Sequence, residues 1–253
     1  MAERALVGIQ VTEGLATLRL QSPEKRNALS PELIAAFRGA LRQIKNDSRV
    51  RAVVIAGTAG GAFCAGADLR AVLSLENDQI TSYFEEMATL IWEVIDCHLP
   101  TVAAVGGPAM GGGADIAVAC DLRVAAPKAI FAFPGLSFGL VLGTQQLARL
   151  IGPSRAKQMA FLGKRVDAQE ALNMGLVDLI ADDPELAALD LAREMAQRPP
   201  HALAMAKTLL KPAANPEEVI GPVRASVRHP EFLDQLRAYA SARLKPASTH
   251  QNR

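Results

Sequence analysis

Residues 101–115 of the chain read TVAAVGGPAMGGGAD, and this stretch carries the main indication of the fold. Its first part, Thr101 to Val105, predicts a buried strand because it is apolar almost throughout. The glycine-rich segment Gly106 to Gly113 follows, and a short helix is predicted from Asp115. Glycines let the backbone approach a ligand closely, and free N–H groups at a helix start can bind an anion or a developing oxyanion. Tight packing of helix on strand is the alternative use of these glycines.

Outward from this stretch, toward the N-terminus, strands and helices alternate. Two short β-type runs, Leu6 to Val11 and Leu15 to Leu20, predict a hairpin. Ser30-Pro31 then opens a helix, since serine is a good N-cap and proline fits the first helical position. The apolar run Val50 to Ala56 predicts a buried strand, and the small-residue loop Gly60 to Asp68 follows it. This alternation predicts the α/β class.

Beyond Gly143 the strand signals fade and helical patterns dominate. Only Leu176 to Ile180 favours an extended conformation there. The predicted helices run over Gln145 to Ile151, Ser154 to Leu162, Ala168 to Met174, Pro184 to Gln197, His201 to Leu210 and Pro230 to Leu244. We therefore divide the chain into a core, residues 1–190, and a helical C-terminal region, residues 191–253.

Composition excludes several classes of protein. The 253 residues include 27 basic and 26 acidic side chains, with a net charge of +1, which argues against a nucleic-acid-binding protein. The three cysteines are scattered and lack the spacing of a disulfide framework or a zinc site. The start of the chain has no apolar segment of signal-peptide length. We expect a cytoplasmic protein that binds no metal.

The stretch Ala129 to Ala148 carries no charged residue and needs to be examined as a membrane segment. Pro134 and several glycines interrupt it, whereas a spanning helix needs a continuous apolar run. The stretch is therefore interpreted as buried structure of a soluble protein.

One motif inside this stretch suggests a hydrolase. Residues 135–139, GLSFG, match the G-x-S-x-G pattern of a nucleophile elbow, with Ser137 as the serine. Asp182 with His201 or His229 would complete a triad. The flanking Pro134 and Gly143 do not suit the strand and helix that such an elbow requires, so a serine hydrolase is kept as a minor alternative.

Taken together, the motifs resemble those of the crotonase superfamily, the enoyl-CoA hydratase/isomerase family. They occur in family order from about residue 20 to 245. The matching segments are Lys25–Leu29, Val53–Gly57, Ala62–Leu69, Pro100–Val105, Gly111–Asp115, Ala119–Arg123, Gly143–Gln145, Gly163–Ala168 and Ala171–Val177. The resemblance implies a crotonase-like spiral of repeated ββα units, with a helical C-terminal region that assembles trimers, often paired as hexamers. It also implies an acyl-CoA thioester as substrate, with coenzyme A as part of that substrate and no separate cofactor.

The resemblance also assigns site residues. The family's oxyanion hole uses two backbone N–H groups, and the matched positions are Ala65 and Gly112. Such donors stabilise the negative charge that a thioester carbonyl gains as an enolate forms. The positions matched to the coenzyme A site are Arg26, Ala28, Ala65, Asp68, Leu69, Tyr239 and Arg243. The last two lie on a C-terminal helix that reaches toward a neighbouring subunit's coenzyme A in the family.

The chain departs from the family at its acids. Hydratases of the family use two glutamates; here the first position is Asp115 and the second is Gly135. Asp115 is therefore expected to be the single acid–base group of an isomerase or a divergent hydratase, and hydrolysis and decarboxylation stay open. Replacement acids are sought in the region that covers the acyl pocket in relatives, at Glu76, Asp78, Glu85 and Glu86. A degenerate acyl-CoA-binding protein with little catalysis is the second alternative.

Overall fold

The computed structural model describes residues 5–211 and 215–244. Its nine strands are β1 (Val7–Thr12), β2 (Leu15–Leu20), β3 (Ala52–Ala56), β4 (Thr101–Val105), β5 (Ala109–Met110), β6 (Leu122–Ala125), β7 (Ile130–Ala132), β8 (Val166–Asp167) and β9 (Leu179–Ile180). The first six helices in this part of the chain are α1 (Pro31–Lys45), α2 (Leu69–Leu73), α3 (Asn77–Ile95), α4 (Gly112–Ala119), α5 (Thr144–Ile151) and α6 (Pro153–Phe161). They are followed by α7 (Ala168–Asn173), α8 (Pro184–Ala196), α9 (Pro200–Leu210), α10 (Glu217–Val227) and α11 (Phe232–Ser241).

A six-stranded sheet in the order β1-β2-β3-β4-β6-β9 forms the centre of the molecule. Only β1 and β2 pair antiparallel; the other neighbours are parallel. Val53 and Ile55 on β3 belong to the main core, while Val54 packs in a second apolar cluster with α8 on the other face. Both faces of the central sheet are covered by other parts of the protein. This explains why its strands are apolar throughout, instead of alternating between apolar and polar residues.

The predicted N-terminal elements are confirmed. The hairpin turn uses positive φ at both Glu13 (51°) and Gly14 (78°), as a two-residue hairpin loop requires. The Ser30 hydroxyl caps α1 by accepting a hydrogen bond from the Leu33 N–H at 3.2 Å. Leu33 and Phe37 lie on the buried face of this helix.

A smaller sheet, in the order β5-β7-β8, lies beside the central one. The loop after β3 joins it through an isolated bridge between Cys64 and Ala109. In that bridge the Met110 N–H donates to the Cys64 carbonyl at 2.9 Å, and the Phe63 N–H donates to the Pro108 carbonyl at 3.0 Å. The two small-residue loops after β3 and β4 therefore converge, as expected from the carboxyl ends of neighbouring parallel strands.

Two sequence predictions need correction. The extended segment predicted at Leu176 to Ile180 is reduced to β9, because its first residues close the end of α7 through bonds to Ala171. The sequence also gave no indication of α10, which contains Pro222 in its interior and packs against α3. Burial of Val219, Val223 and Val227 holds that helix in place.

The boundary placed at residue 190 falls inside α8. This helix packs Ala188 and Ala192 against the central sheet, so it belongs structurally to the core. The next helix, α9, is attached through Lys207, whose ammonium donates to the Leu99 carbonyl at 2.8 Å and to Asp121 at 2.6 Å. The assignment of residues 191–253 to oligomerisation stays a prediction.

The uncharged stretch from Ala129 to Ala148 is not a single helix. It contains β7, a 3₁₀ turn over Gly135–Phe138 and the start of α5. In the described ranges, every helix is too short or too polar to cross a bilayer.

Candidate active site

A cavity of about 300 Å³ opens between the two converging loops, the 3₁₀ turn and α11. Its polar side chains are few: Arg26, Asp115, Ser137, Thr144, Arg165, Tyr239 and Arg243. The remaining wall is mainly apolar and includes Leu69, Met87, Met110, Phe133, Leu136, Phe138, Leu140, Leu142 and Leu147. An apolar wall with a few placed polar groups is typical of a small-molecule site.

Glycines allow the two loops to touch. A Cβ on Gly113 would lie 2.3 Å from the Cys64 carbonyl oxygen, and one on Gly66 would lie 2.4 Å from the Met110 carbonyl oxygen. Gly66 also has a positive φ of 81°, which favours glycine. A Cβ on Gly66 would be 3.3 Å from the Gly112 nitrogen, so the backbones of the two loops are adjacent at this point. The glycines are required for this packing.

Two backbone N–H groups on these loops are free to bind a ligand. Gly112 opens α4, and an N–H group in the first turn of a helix has no intrahelical acceptor. Neither the Gly112 N–H nor the Ala67 N–H donates a hydrogen bond to any described residue. Both residues line the cavity.

The prediction that Ala65 supplies an oxyanion donor is wrong. The Ala65 N–H donates to the Arg26 carbonyl at 3.0 Å and is therefore occupied. The Ala67 N–H, two residues later, is spared because the bridge between Leu29 and this segment uses the Gly66 carbonyl, to which the Leu29 N–H donates. Ala65 and Ala67 belong to the same small-residue loop, so the sequence pattern points to both equally. Only their hydrogen bonding in the structure distinguishes them.

Tyr83 fixes the loop that carries Ala67. Its buried hydroxyl donates to the Leu29 carbonyl at 2.5 Å and accepts from the Asp68 N–H at 3.2 Å. Burial raises the pKa of this phenol, so it stays protonated. Sequence reasoning did not identify this clamp, because Tyr83 lies 15 residues from Asp68.

Asp115 lies in the first turn of α4 and faces the cavity. Its side chain is buried, with 4% of the residue exposed, and its Oδ1 atom has no hydrogen-bond partner in the described ranges. Burial raises the pKa of this carboxyl well above its usual range, because the ionised form loses its hydration. A buried, unpartnered carboxyl in a cavity is typical of an acid–base group and unusual in a purely structural role.

Gly143 and Gly135 limit the space around this carboxyl. Gly143 is the N-cap of α5, and a Cβ on it would lie 1.8 Å from Asp115 Oδ1. A Cβ on Gly135 would lie 2.7 Å from the Leu140 carbonyl oxygen. The backbone here therefore leaves no place for a second acidic side chain at residue 135.

Apart from Asp115, the charged side chains of the cavity wall are basic. Arg26, Arg165 and Arg243 line it, and none of them forms a salt bridge within the described residues. The guanidinium of Arg243 lies 3.6 Å from the centroid of the Tyr239 ring. Burial raises the pKa of Tyr239, and the charges of Arg243 and Arg165 act in the opposite direction. Arg165 belongs to the matched segment Gly163–Ala168, but it was missed because nothing in the sequence shows that this segment meets the loops of the cavity.

That Tyr239 and Arg243 reach toward a neighbouring subunit stays a prediction; in the structure both residues line the cavity of their own chain. The reason is the aromatic packing of α11: Phe232 lies edge-on to Phe84 at 5.6 Å, and Tyr239 lies 4.7 Å from Phe138. These contacts hold the helix over the 3₁₀ turn.

The other residues assigned to coenzyme A separate into two groups. Leu69 lines the cavity, whereas Ala28 and Asp68 do not. Asp68 is buried and acts as the N-cap of α2, accepting from the Ala71 N–H at 3.2 Å, and it pairs with Lys25 at 3.2 Å. Its carboxylate is thus engaged within the loop structure.

None of the four acids considered as replacements lines the cavity. Glu85 pairs with Arg224 and Glu86 with Arg38. Glu76 caps the start of α3, and Asp78 is exposed in its first turn. Within the cavity walls described, Asp115 is the single carboxyl group.

The hydrolase alternative is wrong. Ser137 lies inside a 3₁₀ turn instead of at a strand-to-helix elbow. Asp182, His201 and His229 do not line the cavity that contains Ser137. Over the described ranges, no cluster of three or more histidine, cysteine or acidic residues could hold a metal ion.

Comparison with known proteins agrees with this geometry. Residues 10–226 match the family model described as enoyl-CoA hydratase/isomerase. The chain is 35% identical to the probable enoyl-CoA hydratase EchA14 of Mycobacterium tuberculosis, over 94% of this chain and 98% of that protein. It is 36% identical to the putative enoyl-CoA hydratase/isomerase YngF of Bacillus subtilis, over 77% of each chain.

Among solved structures, a putative enoyl-CoA hydratase/isomerase from Bordetella parapertussis superimposes with a TM-score of 0.87 and 29% identity. The superposition covers 94% of this chain and 99% of that one. The match extends over both loops and the helices that follow them. On the strength of the family model and these relatives, the chain belongs to the enoyl-CoA hydratase/isomerase family, the crotonase superfamily.

Proposed function

We propose that the protein is an enzyme that acts on an acyl-CoA thioester through an enolate, with Asp115 as its single acid–base group. One observation carries this proposal: a buried, unpartnered carboxyl shares a cavity with two unpaired backbone N–H groups. Family membership supplies the thioester as the class of substrate.

Each group has a distinct task in the proposed reaction. The thioester carbonyl oxygen accepts hydrogen bonds from the N–H groups of Gly112 and Ala67. These donors stabilise the enolate oxygen by a few kcal/mol, because they are already oriented when the charge develops. Asp115 moves the proton to or from the carbon next to the carbonyl. Its raised pKa suits both directions of this transfer, since the carboxyl is a stronger base than an exposed one and is readily reprotonated.

The proposed coenzyme A site is the basic opening of the cavity. Arg26 and Arg243 have no acidic partners within the described residues and can pair with phosphates, and Arg165 adds a third guanidinium to the same opening. Leu69 and the stacked ring of Tyr239 provide apolar contacts. Ala28, Ala65 and Asp68 contribute through the backbone of the loop rather than through side chains. Coenzyme A enters as part of the substrate, and no further cofactor is proposed.

The reaction that fits one carboxyl group best is a proton shuttle between two carbons, as in an isomerase. A standard hydration uses an acid and a base on either side of the double bond. Residue 135 cannot supply the second group, because its Cβ would collide with the Leu140 carbonyl. A divergent hydratase would need a water molecule held by Asp115 alone.

The test measures proton transfer directly. Butyryl-CoA is incubated with the protein in deuterated water, and deuterium uptake next to the thioester carbonyl is followed by mass spectrometry. We expect Asp115→Asn to reduce the exchange rate at least about 100-fold, the usual size of a general-base contribution. Binding of butyryl-CoA, measured by calorimetry, should change less than about threefold.

Asp78→Asn is the matched control, since it makes the same substitution at an exposed aspartate on α3 that does not line the cavity. Exchange by Asp115→Asn at the wild-type rate would refute the acid–base assignment. Tight binding without exchange by the wild-type protein would instead favour the alternative of an acyl-CoA-binding protein with little catalysis.

A further inference from the structure

The backbone of Gly143 lies against the carboxyl of Asp115 and leaves no room for a side chain there. Gly143 caps the N-terminus of α5 and has a φ of 63°. A Cβ on this residue would lie 1.8 Å from Asp115 Oδ1 and 2.5 Å from its Cγ. Real Cβ atoms do not approach other atoms so closely, so the backbone of residue 143 occupies the space directly against the carboxyl.

The carboxyl has few other restraints. Its Oδ1 atom forms no hydrogen bond within the described residues, and the surrounding cavity wall is mostly apolar. A catalytic carboxyl is usually oriented by hydrogen-bonding partners. Here the orientation must come from packing, and the backbone of Gly143 is one surface that lies against the carboxyl.

We propose that Gly143 is a positioning residue for Asp115, holding its carboxyl group toward the reacting carbon through backbone contact alone. The proposal rests on the proposed function, in which Asp115 transfers the proton. It assigns to the start of α5 a role in the reaction, in addition to its role as a wall of the cavity. A methyl group at residue 143 would displace the carboxyl, and a displacement of about 1 Å can reduce a rate about 100-fold.

Gly175 provides a matched control. It also has a positive φ, 81°, and a Cβ on it would meet nothing within 4 Å. It does not line the cavity. Gly143→Ala and Gly175→Ala therefore share the backbone strain of an L-residue at positive φ, and they differ in the collision with Asp115.

The first measurement is deuterium exchange of butyryl-CoA at saturating concentration, with its binding constant measured separately by calorimetry. We expect Gly143→Ala to lower the exchange rate about 10- to 100-fold and to weaken binding less than about threefold. Gly175→Ala should change neither quantity by more than about twofold. A Gly143→Ala variant that exchanges as fast as Gly175→Ala would overturn the proposal.

The second measurement is a double-mutant cycle on thermal stability. Gly143→Ala should lower the Tm by several degrees more than Gly175→Ala. In the Asp115→Ala background the carboxyl is gone, so the extra loss at residue 143 should disappear. This cycle does not depend on activity, and the double variant should fold even where Gly143→Ala alone does not. If Gly143→Ala still lowers the Tm more than Gly175→Ala does in the Asp115→Ala background, the contact between residue 143 and the carboxyl is refuted.

The two failures are distinguishable. If Asp115→Asn exchanges at the wild-type rate, the proposed function is wrong. If Asp115→Asn is inactive while Gly143→Ala behaves as Gly175→Ala does, the proposed function stands and the positioning role is refuted.

Discussion

At the scale of single residues, Asp115 is a group that costs free energy to bury. A buried carboxyl that lacks a hydrogen-bond partner loses its hydration without compensation. Its pKa is raised for this reason, so the folded state binds the proton more strongly than the unfolded chain does. Groups of this kind persist where they serve a reaction rather than stability.

This shift predicts how stability depends on pH. Below the ordinary pKa of an aspartate, near 4, the carboxyl is protonated in both states and costs little. As the pH rises from there to the raised pKa of the folded state, the unfolded chain releases its proton first, so the folded state becomes relatively less stable. Asp115→Asn should therefore be more stable relative to wild type at pH 8 than at pH 4.

Urea unfolding of both proteins at the two pH values measures this difference. Asp78→Asn serves as the control, because it makes the same substitution at an exposed carboxylate on α3. An Asp115→Asn protein whose stability relative to wild type is the same at pH 4 and pH 8 would contradict the raised pKa.

At the scale of elements, α11 owes its position to aromatic side chains. Phe232 is buried and contacts the rings of Phe84, at 5.6 Å, and Phe138, at 6.4 Å. This cluster joins α11 to α3 and to the 3₁₀ turn of the cavity wall. The helical spacing of Phe232, Leu236 and Tyr239 is visible in the sequence, but the partner rings are more than 90 residues distant.

Phe232→Ala should destabilise the protein by about 3–5 kcal/mol, the usual cost of removing a buried phenylalanine. It should also weaken binding of butyryl-CoA, because Tyr239 and Arg243 lose their support. Urea unfolding and calorimetry measure the two effects. Leu186→Ala on α8 is the control, since that leucine is 57% exposed and its loss should cost less than about 0.5 kcal/mol. Equal stability of the two variants would show that the aromatic cluster does not hold α11.

At the scale of the whole molecule, one polar cluster ties the C-terminal helices to the sheet. Asp121 accepts from the Thr101 N–H at 2.7 Å and from its hydroxyl at 2.9 Å, as well as from the ammonium of Lys207. Lys207 lies on α9, and its side chain is 11% exposed. The Lys207 ammonium is thus largely shielded from water, whereas the Asp121 side chain is 31% exposed, and the cluster bridges residues far apart in the chain.

Lys207→Met should cost about 2–3 kcal/mol, because it leaves Asp121 and the Leu99 carbonyl without a charged donor. Urea unfolding gives the value, and hydrogen exchange should show that protection is lost first in α9. Arg198→Ala is the control: its pair with Glu194 is more than 60% exposed on both sides and should contribute less than about 1 kcal/mol. If Lys207→Met lowers the free energy of unfolding no more than Arg198→Ala does, Lys207 does not anchor α9 to the sheet.

The outer surface of α9 carries exposed apolar side chains. Leu209 and Leu210 are 84% and 82% exposed, and Met205 is 66% exposed. Apolar side chains grouped in this way often mark contacts between proteins. A trimer or a pair of trimers stays a prediction, and native mass spectrometry of the protein measures it.

The sequence by itself determined the class of fold, the family and the position of the carboxyl that we propose as the acid–base group. Strand β4 and the glycines after it could be recognised because buried parallel strands and close backbone contacts leave local patterns. Asp115 and Gly112 could be located for the same reason, since both belong to one continuous segment. The absence of a second acid at Gly135 was equally visible.

Only the tertiary structure decided which groups meet. It replaced Ala65 by Ala67 as the free donor, because hydrogen bonding between separate loops uses one N–H group and spares the other. It placed Tyr239 and Arg243 over their own cavity and brought Gly143 against Asp115. Contacts of this kind depend on distances between segments remote in the chain, and no local pattern of residues encodes them.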